Sequence, residues 1–134
     1  MNKKVMCFGT FDLLHVGHLD YFKQAKEYGD YLIVVIARDK TKELEQEKKD
    51  VAFCEHERLQ LISSIKIVDE AVLGYPEDHF KIIEEKKPDI IFLGYDHPKI
   101  EESLKEKFNI EILRGKPYKT HHHKSSIIRE KILR

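Results

Sequence analysis

Cysteine is scarce in this chain of 134 residues: Cys7 and Cys54 are all there is. Two distant thiols cannot form a disulfide framework or a thiolate zinc centre, and Cys7, alternating with apolar neighbours, reads as a small core residue. An excess of either charge is also missing, because 24 Lys and Arg balance 24 Asp and Glu. Without a basic surplus, a nucleic-acid partner is not expected. No apolar run is long enough to span a bilayer, so no membrane partner is expected either. Met1-Asn2-Lys3-Lys4 leads straight into an apolar stretch and lacks the pattern of a secretory signal. No repeat, low-complexity tract or interdomain linker is visible. No Cys or Ser stands beside a His in an arrangement suited to covalent catalysis, so an enzyme-bound intermediate is not required. The chain is expected to fold as one domain, 1–134, in the reducing cytoplasm.

What is present is an alternation of strand and helix patterns. Apolar runs at Val5–Phe8, Tyr31–Ala37, Ala71–Leu73, Ile90–Leu93 and Ile110–Leu113 read as buried strands. Helical spacing recurs at Leu19–Tyr28, Glu55–Ile65, His79–Lys87, Ile100–Phe108 and Ser125–Leu133. Gly29-Asp30, Gly74-Tyr75-Pro76 and Lys87-Pro88-Asp89 punctuate the joins. The fold class is therefore α/β: a doubly wound parallel sheet with helices on both faces, binding its ligand beyond the carboxyl ends of the strands.

The stretch Gly9-Thr10-Phe11-Asp12-Leu13-Leu14-His15-Val16-Gly17-His18 lies between the first strand and the first helix. A helix start offers unpaired N–H groups and the positive end of the dipole, which favour an anion. Two imidazoles add directional donors, and Gly17 permits close approach to the main chain. The chemistry indicated is phosphate handling.

These ten residues resemble the HxGH motif of the nucleotidyltransferases that include cytidylyltransferases and archaeal FAD synthases. The resemblance covers nearly the whole chain. It implies a Rossmann-like sheet of order 3-2-1-4-5 and a homodimer. It also implies that His15 and His18 bind a nucleoside triphosphate and stabilise the phosphorus as pyrophosphate leaves. Gly9, Thr10, Phe11, Val16 and Gly17 would line the nucleotide. Mg²⁺ or another divalent cation is expected with the triphosphate, where it offsets charge on the departing pyrophosphate.

Three further segments complete the expected site. Asp96, in Gly94-Tyr95-Asp96-His97, matches the family's Gly-x-Asp nucleotide-binding position; its alternative role is to cap the helix near Ile100. In Lys116–Arg129, Ser125 and Ser126 stand at the start of the last helix, where a cap hydroxyl can also grip phosphate. The compact Arg-Thr-Glu-Gly run of cytidylyltransferases is missing there. A tyrosine, Tyr118, ahead of a Ser-Ser pair is closer to archaeal FAD synthases and would flank the base. A plain capped helix is the alternative. His121, His122 and His123 are adjacent, so their side chains do not converge as metal ligands do, and no metal site is expected. In the third segment, Lys48, Lys49 and Arg58 follow the second strand. The resemblance implies a catalytic lysine, taken as Lys48, with Lys49 and Arg58 on the substrate phosphate, in a segment otherwise of solvated charge. Ala37-Arg38-Asp39 again resembles the archaeal FAD synthases.

The implied reaction is AMP transfer from ATP to FMN, giving FAD and pyrophosphate. Two alternatives remain at this stage: CMP transfer from CTP to glycerol-3-phosphate or another phospho-alcohol, and a nucleotide-binding module without turnover.

Overall fold

The computed structural model describes residues 2–39 and 52–117. Along the chain these form β1 (Lys4–Gly9), α1 (Val16–Lys26), β2 (Tyr31–Ile36), α2 (Glu55–Ser63), β3 (Glu70–Leu73), α3 (Lys81–Lys86), β4 (Ile90–Leu93), α4 (Glu101–Lys107) and β5 (Glu111–Arg114). The five strands make one sheet in the order β3-β2-β1-β4-β5, and every neighbouring pair is parallel. The expected order and class hold.

Alternation along each strand divides the core into two layers. Val5, Cys7, Leu32, Val34, Ile36, Ile90 and Phe92 face the side that buries Phe22 and Ala25 of α1 and Ile62 of α2. Met6, Ile33, Val35, Ile91 and Leu93 face the other side, with Ile82 and Ile83 of α3 and Leu104 of α4. Strands buried on both faces are nearly continuous in apolar residues, as YLIVVI and IIFL are. Cys7 is fully buried, as a small core residue should be.

Aspartates set the register at the amino edge. Asp30, Asp69 and Asp89 each precede a strand, and each carboxylate accepts an N–H from within or just before the neighbouring strand: Lys3, Leu32 and Lys4 in turn. The chain leaves β1 for α1 on one face and crosses to the other face between β3 and β4. The strand order therefore reverses between β1 and β4, and the carboxyl ends of these two strands flank the switch point.

Three helices are shorter than their apolar spacing predicts, the fourth by one residue at each end, Glu101–Lys107 against Ile100–Phe108. The third, expected over His79–Lys87, runs only from Lys81 to Lys86; it starts after Phe80, and at its other end Lys87 turns left-handed (φ 51°) ahead of Pro88. The second ends at Ser63 instead of Ile65. In contrast, α1 begins at Val16, three residues before the expected Leu19.

Candidate active site

The early start of α1 is the work of two histidines. His15 is the N-cap, in extended backbone (φ −146°, ψ 177°). Its Nδ1 accepts the Gly17 N–H at 3.0 Å. The His15 N–H in turn donates to Nδ1 of His18 at 3.2 Å. The result is a reciprocal capping box, a role Ser or Thr with Glu usually fills. The two rings stack, 4.0 Å apart and 29° from coplanar.

This arrangement dictates the protonation state. An Nδ1 that accepts a backbone N–H carries no proton, so in a neutral imidazole the proton sits on Nε2. Both rings are thus neutral Nε2–H donors at the helix N-terminus. Desolvation, with the adjacent His15 adding to it, pushes the pKa of His18 down to about 3. The expectation of free main-chain amides here is corrected in part. The Gly17 N–H is taken by His15, and the His18 N–H reaches the His15 carbonyl at 3.0 Å. Imidazole N–H groups stand in for the amides they occupy. Val16, between the histidines, is 47% exposed.

Beneath the pair lies Phe11. Its backbone is left-handed (φ 55°), and its ring is buried against His18 edge-on at 5.3 Å, Phe22 at 5.2 Å and Tyr21 at 6.4 Å. Expected to line the nucleotide, the ring instead supports His18 from inside the core. Gly9 makes room for it, since a Cβ there would stand 2.5 Å from Phe11 Cζ. Tyr21 continues the stack and donates its hydroxyl to the Phe92 carbonyl at 2.7 Å, tying α1 to β4. Burial and nearby Cys7 raise its pKa well above the ordinary phenol value.

Arg58 does not present its guanidinium to a ligand. It is fully buried and donates to the carbonyls of Thr10 (2.8 Å), Ala37 (2.9 Å) and Phe53 (3.1 Å) and to Asp39 Oδ1 (2.5 Å). The expectation that it meets a substrate phosphate is replaced by a different arrangement. Arg58 pins the ends of β1 and β2 to the start of α2. Thr10 contributes its carbonyl to that pin. Asp12, 5% exposed, assists by accepting the N–H groups of Ala52 (2.8 Å) and Phe53 (2.9 Å). Glu55 accepts from Arg38 Nε and the Asp39 N–H, each at 2.9 Å. The Glu55 N–H donates to Asp39 at 3.1 Å.

Across the switch point, Asp96 lies exposed in the loop after β4, with Oδ1 3.5 Å from where a Gly94 Cβ would be. It does not cap α4. That helix starts after Ile100, whose N–H is met by Glu101 at 3.2 Å. Asp96 acts electrostatically on both Tyr21 and Arg114, which places it on the same edge as the histidine support. Arg58's buried role, Asp12 and Arg114 were not foreseen. A charge in sequence reads as solvated until the carbonyls it gathers are known.

Lys48, Lys49, Tyr118, Ser125, Ser126 and His121–His123 lie outside the described residues. Among the described residues no three His, Cys, Asp or Glu side chains converge as metal ligands. The histidine pair offers N–H donors and no lone pair, so it does not suit a resident cation. No helix among them is long and apolar enough to cross a membrane.

The family follows from comparison with known proteins. Residues 6–131 match the cytidylyltransferase-like family. The chain belongs to that family. The FAD synthase of Thermoplasma volcanium is 44% identical over 97% of this chain and 94% of its own length. That of Thermoplasma acidophilum is 42% identical over the same shares. A crystal structure described as the lipopolysaccharide core biosynthesis protein of T. volcanium superposes with a TM-score of 0.81 and 45% identity, covering 87% of this chain and 98% of the other. Pantoate-beta-alanine ligase of Francisella tularensis, at 21% identity and TM-score 0.64, shares the fold.

Proposed function

We propose that this protein is an FMN adenylyltransferase, transferring AMP from ATP to FMN and releasing pyrophosphate. The observation that carries the reading is the reciprocal His15–His18 cap, which sets two neutral imidazoles, each with its proton on Nε2, at a helix N-terminus in a chain over 40% identical to FAD synthases. A phosphate oxygen of FMN attacks the α-phosphorus, the new O–P bond forms, the bond to the β-phosphate oxygen breaks, and pyrophosphate leaves. The extra negative charge of the pentavalent phosphorus falls on non-bridging oxygens that accept from His15 and His18 Nε2–H. The positive end of α1 adds to this. Neutral donors suit the task. They need no proton from solvent, and they return none.

Gly9, Thr10, Val16 and Gly17 supply the backbone that frames the triphosphate. Asp96 faces the ribose hydroxyls as an acceptor. Lys48, Lys49, Tyr118, Ser125 and Ser126 are assigned to the same site by family resemblance, as are the homodimer and the cytoplasmic setting. A divalent cation enters on the triphosphate as part of the substrate.

The test is isotopic. With ATP labelled at the α-phosphorus, label should appear in FAD; with ATP labelled at the γ-phosphorus, it should appear only in pyrophosphate. Label from the γ-position on the flavin product would contradict the reaction.

A further inference from the structure

Arg114 closes β5, the edge strand beside β4, in parallel register with Leu93. Its side chain turns back over the end of β4. There one guanidinium nitrogen, Nη1, lies 2.9 Å from the Gly94 carbonyl, 3.3 Å from that of Tyr95 and 2.6 Å from that of His97. Nη2 is 3.5 Å from the Pro98 carbonyl. The remaining donors form a forked pair with Glu101 of α4, Nε at 3.0 Å and Nη2 at 2.9 Å. Arg114 holds the Glu101 carboxyl down to a pKa of about 2.

The five-residue stretch 94–98 is thus curled around one cation. Four of its carbonyls converge on the guanidinium, while its central side chain, Asp96, stays exposed at the switch point. Within this stretch the His97 N–H also donates to the Gly94 carbonyl at 3.1 Å. On the opposite half of the sheet Arg58 does the same for the ends of β1 and β2, also gathering carbonyls and also anchored by an acidic partner. Each wall of the site is shaped by an arginine that gathers main-chain carbonyls and pairs with a carboxylate.

We propose that Arg114, locked by Glu101, is a positioning residue for nucleotide binding: it fixes the loop that sets Asp96 against the nucleotide. The inference rests on the reading of Asp96 as a nucleotide contact. Lysine cannot replace the fork, because a single ammonium cannot reach both the carbonyl cluster and Glu101 in one plane.

The test is ATP binding measured calorimetrically on the full-length protein without FMN, for Asp96→Ala, Arg114→Lys and the double variant, with melting temperature and FMN affinity alongside. Asp96→Ala and Arg114→Lys should each weaken ATP about tenfold, with FMN affinity unchanged. The double variant should be no weaker than Asp96→Ala alone, because Arg114 acts through that loop. In turnover, Arg114→Lys should raise KM for ATP more than it lowers kcat. Guanidinium ion, which fits the gap left by Arg114→Ala, should restore part of the ATP affinity of that variant. If Asp96→Ala weakens ATP and Arg114→Lys does not, or if the two effects add, the positioning role is overturned and the Asp96 reading stands. If Asp96→Ala leaves ATP binding unchanged, both fall.

Discussion

His15 and His18 cap each other. The Nδ1 of one takes a helix N–H, the backbone N–H of the same residue is taken by the Nδ1 of the other, and both rings carry their proton on Nε2. One pair of side chains therefore starts the helix and supplies the donors that the chemistry needs. The two roles can be separated.

His15→Asn separates them. Asparagine is among the best N-caps, so helix and melting temperature should persist. The Nε2–H donor is lost, which should lower kcat by about two to three decades, the usual cost of deleting one such donor. His18→Ala should lose a similar amount of rate, and removing that half of the cap should cost about 0.5–2 kcal/mol of stability. Undiminished turnover in either folded variant contradicts the mechanism.

The protonation state is directly measurable. With the folded pKa of His18 at about 3 and the ordinary value at 6.5, the unfolded chain binds the extra proton between these limits. Stability supplied by neutral His18 is complete above pH 6.5 and is lost as pH falls from 6.5 toward 3. Nitrogen-15 imidazole spectra of the ligand-free protein should show His18 as the Nε2–H tautomer, without titration between pH 8 and 5. A midpoint near 6.5 for this ring contradicts the assigned state.

Gly9→Ala tests the support under the pair. The new methyl group would collide with the Phe11 ring, which holds His18 edge-on. Overpacking of this kind costs about 1–3 kcal/mol. Turnover should fall beyond what the lower stability explains, and the displaced His18 signal should report it. A folded variant with normal turnover and an unmoved His18 contradicts the support role of Phe11.

Arg58→Met should act on stability. It leaves the Thr10, Ala37 and Phe53 carbonyls without their donor and Asp39 without its partner, a loss of about 3 kcal/mol or more. Thermal unfolding checks this. A variant as stable as the parent, with only FMN affinity impaired, would return Arg58 to the substrate phosphate.

Much of this was legible in the residues. Continuous apolar runs located the strands to within a residue, because parallel strands are buried on both faces. The HxGH stretch fixed the place of the site. The start of α1 was missed because the capping residues are histidines, which the usual signals for a helix start do not include. The C-terminal end of α3 is set by a left-handed Lys87, a conformation that sequence gives no reason to expect at lysine. Phe11 looked like a ligand contact because it stands in the motif; its left-handed backbone turns the ring inward, and only Gly9 leaves room for it. The carbonyl-gathering roles of Arg58, read as a phosphate contact, and of Arg114 were hidden for another reason: the carbonyls come from segments far apart in the chain.

The most direct test of the central claim is pyrophosphate release with Mg²⁺, crossing ATP and CTP against FMN and glycerol-3-phosphate. Release with ATP plus FMN, and with no other pair, is the expected result. Release confined to CTP plus glycerol-3-phosphate, or no release from any pair by the folded protein, would contradict it.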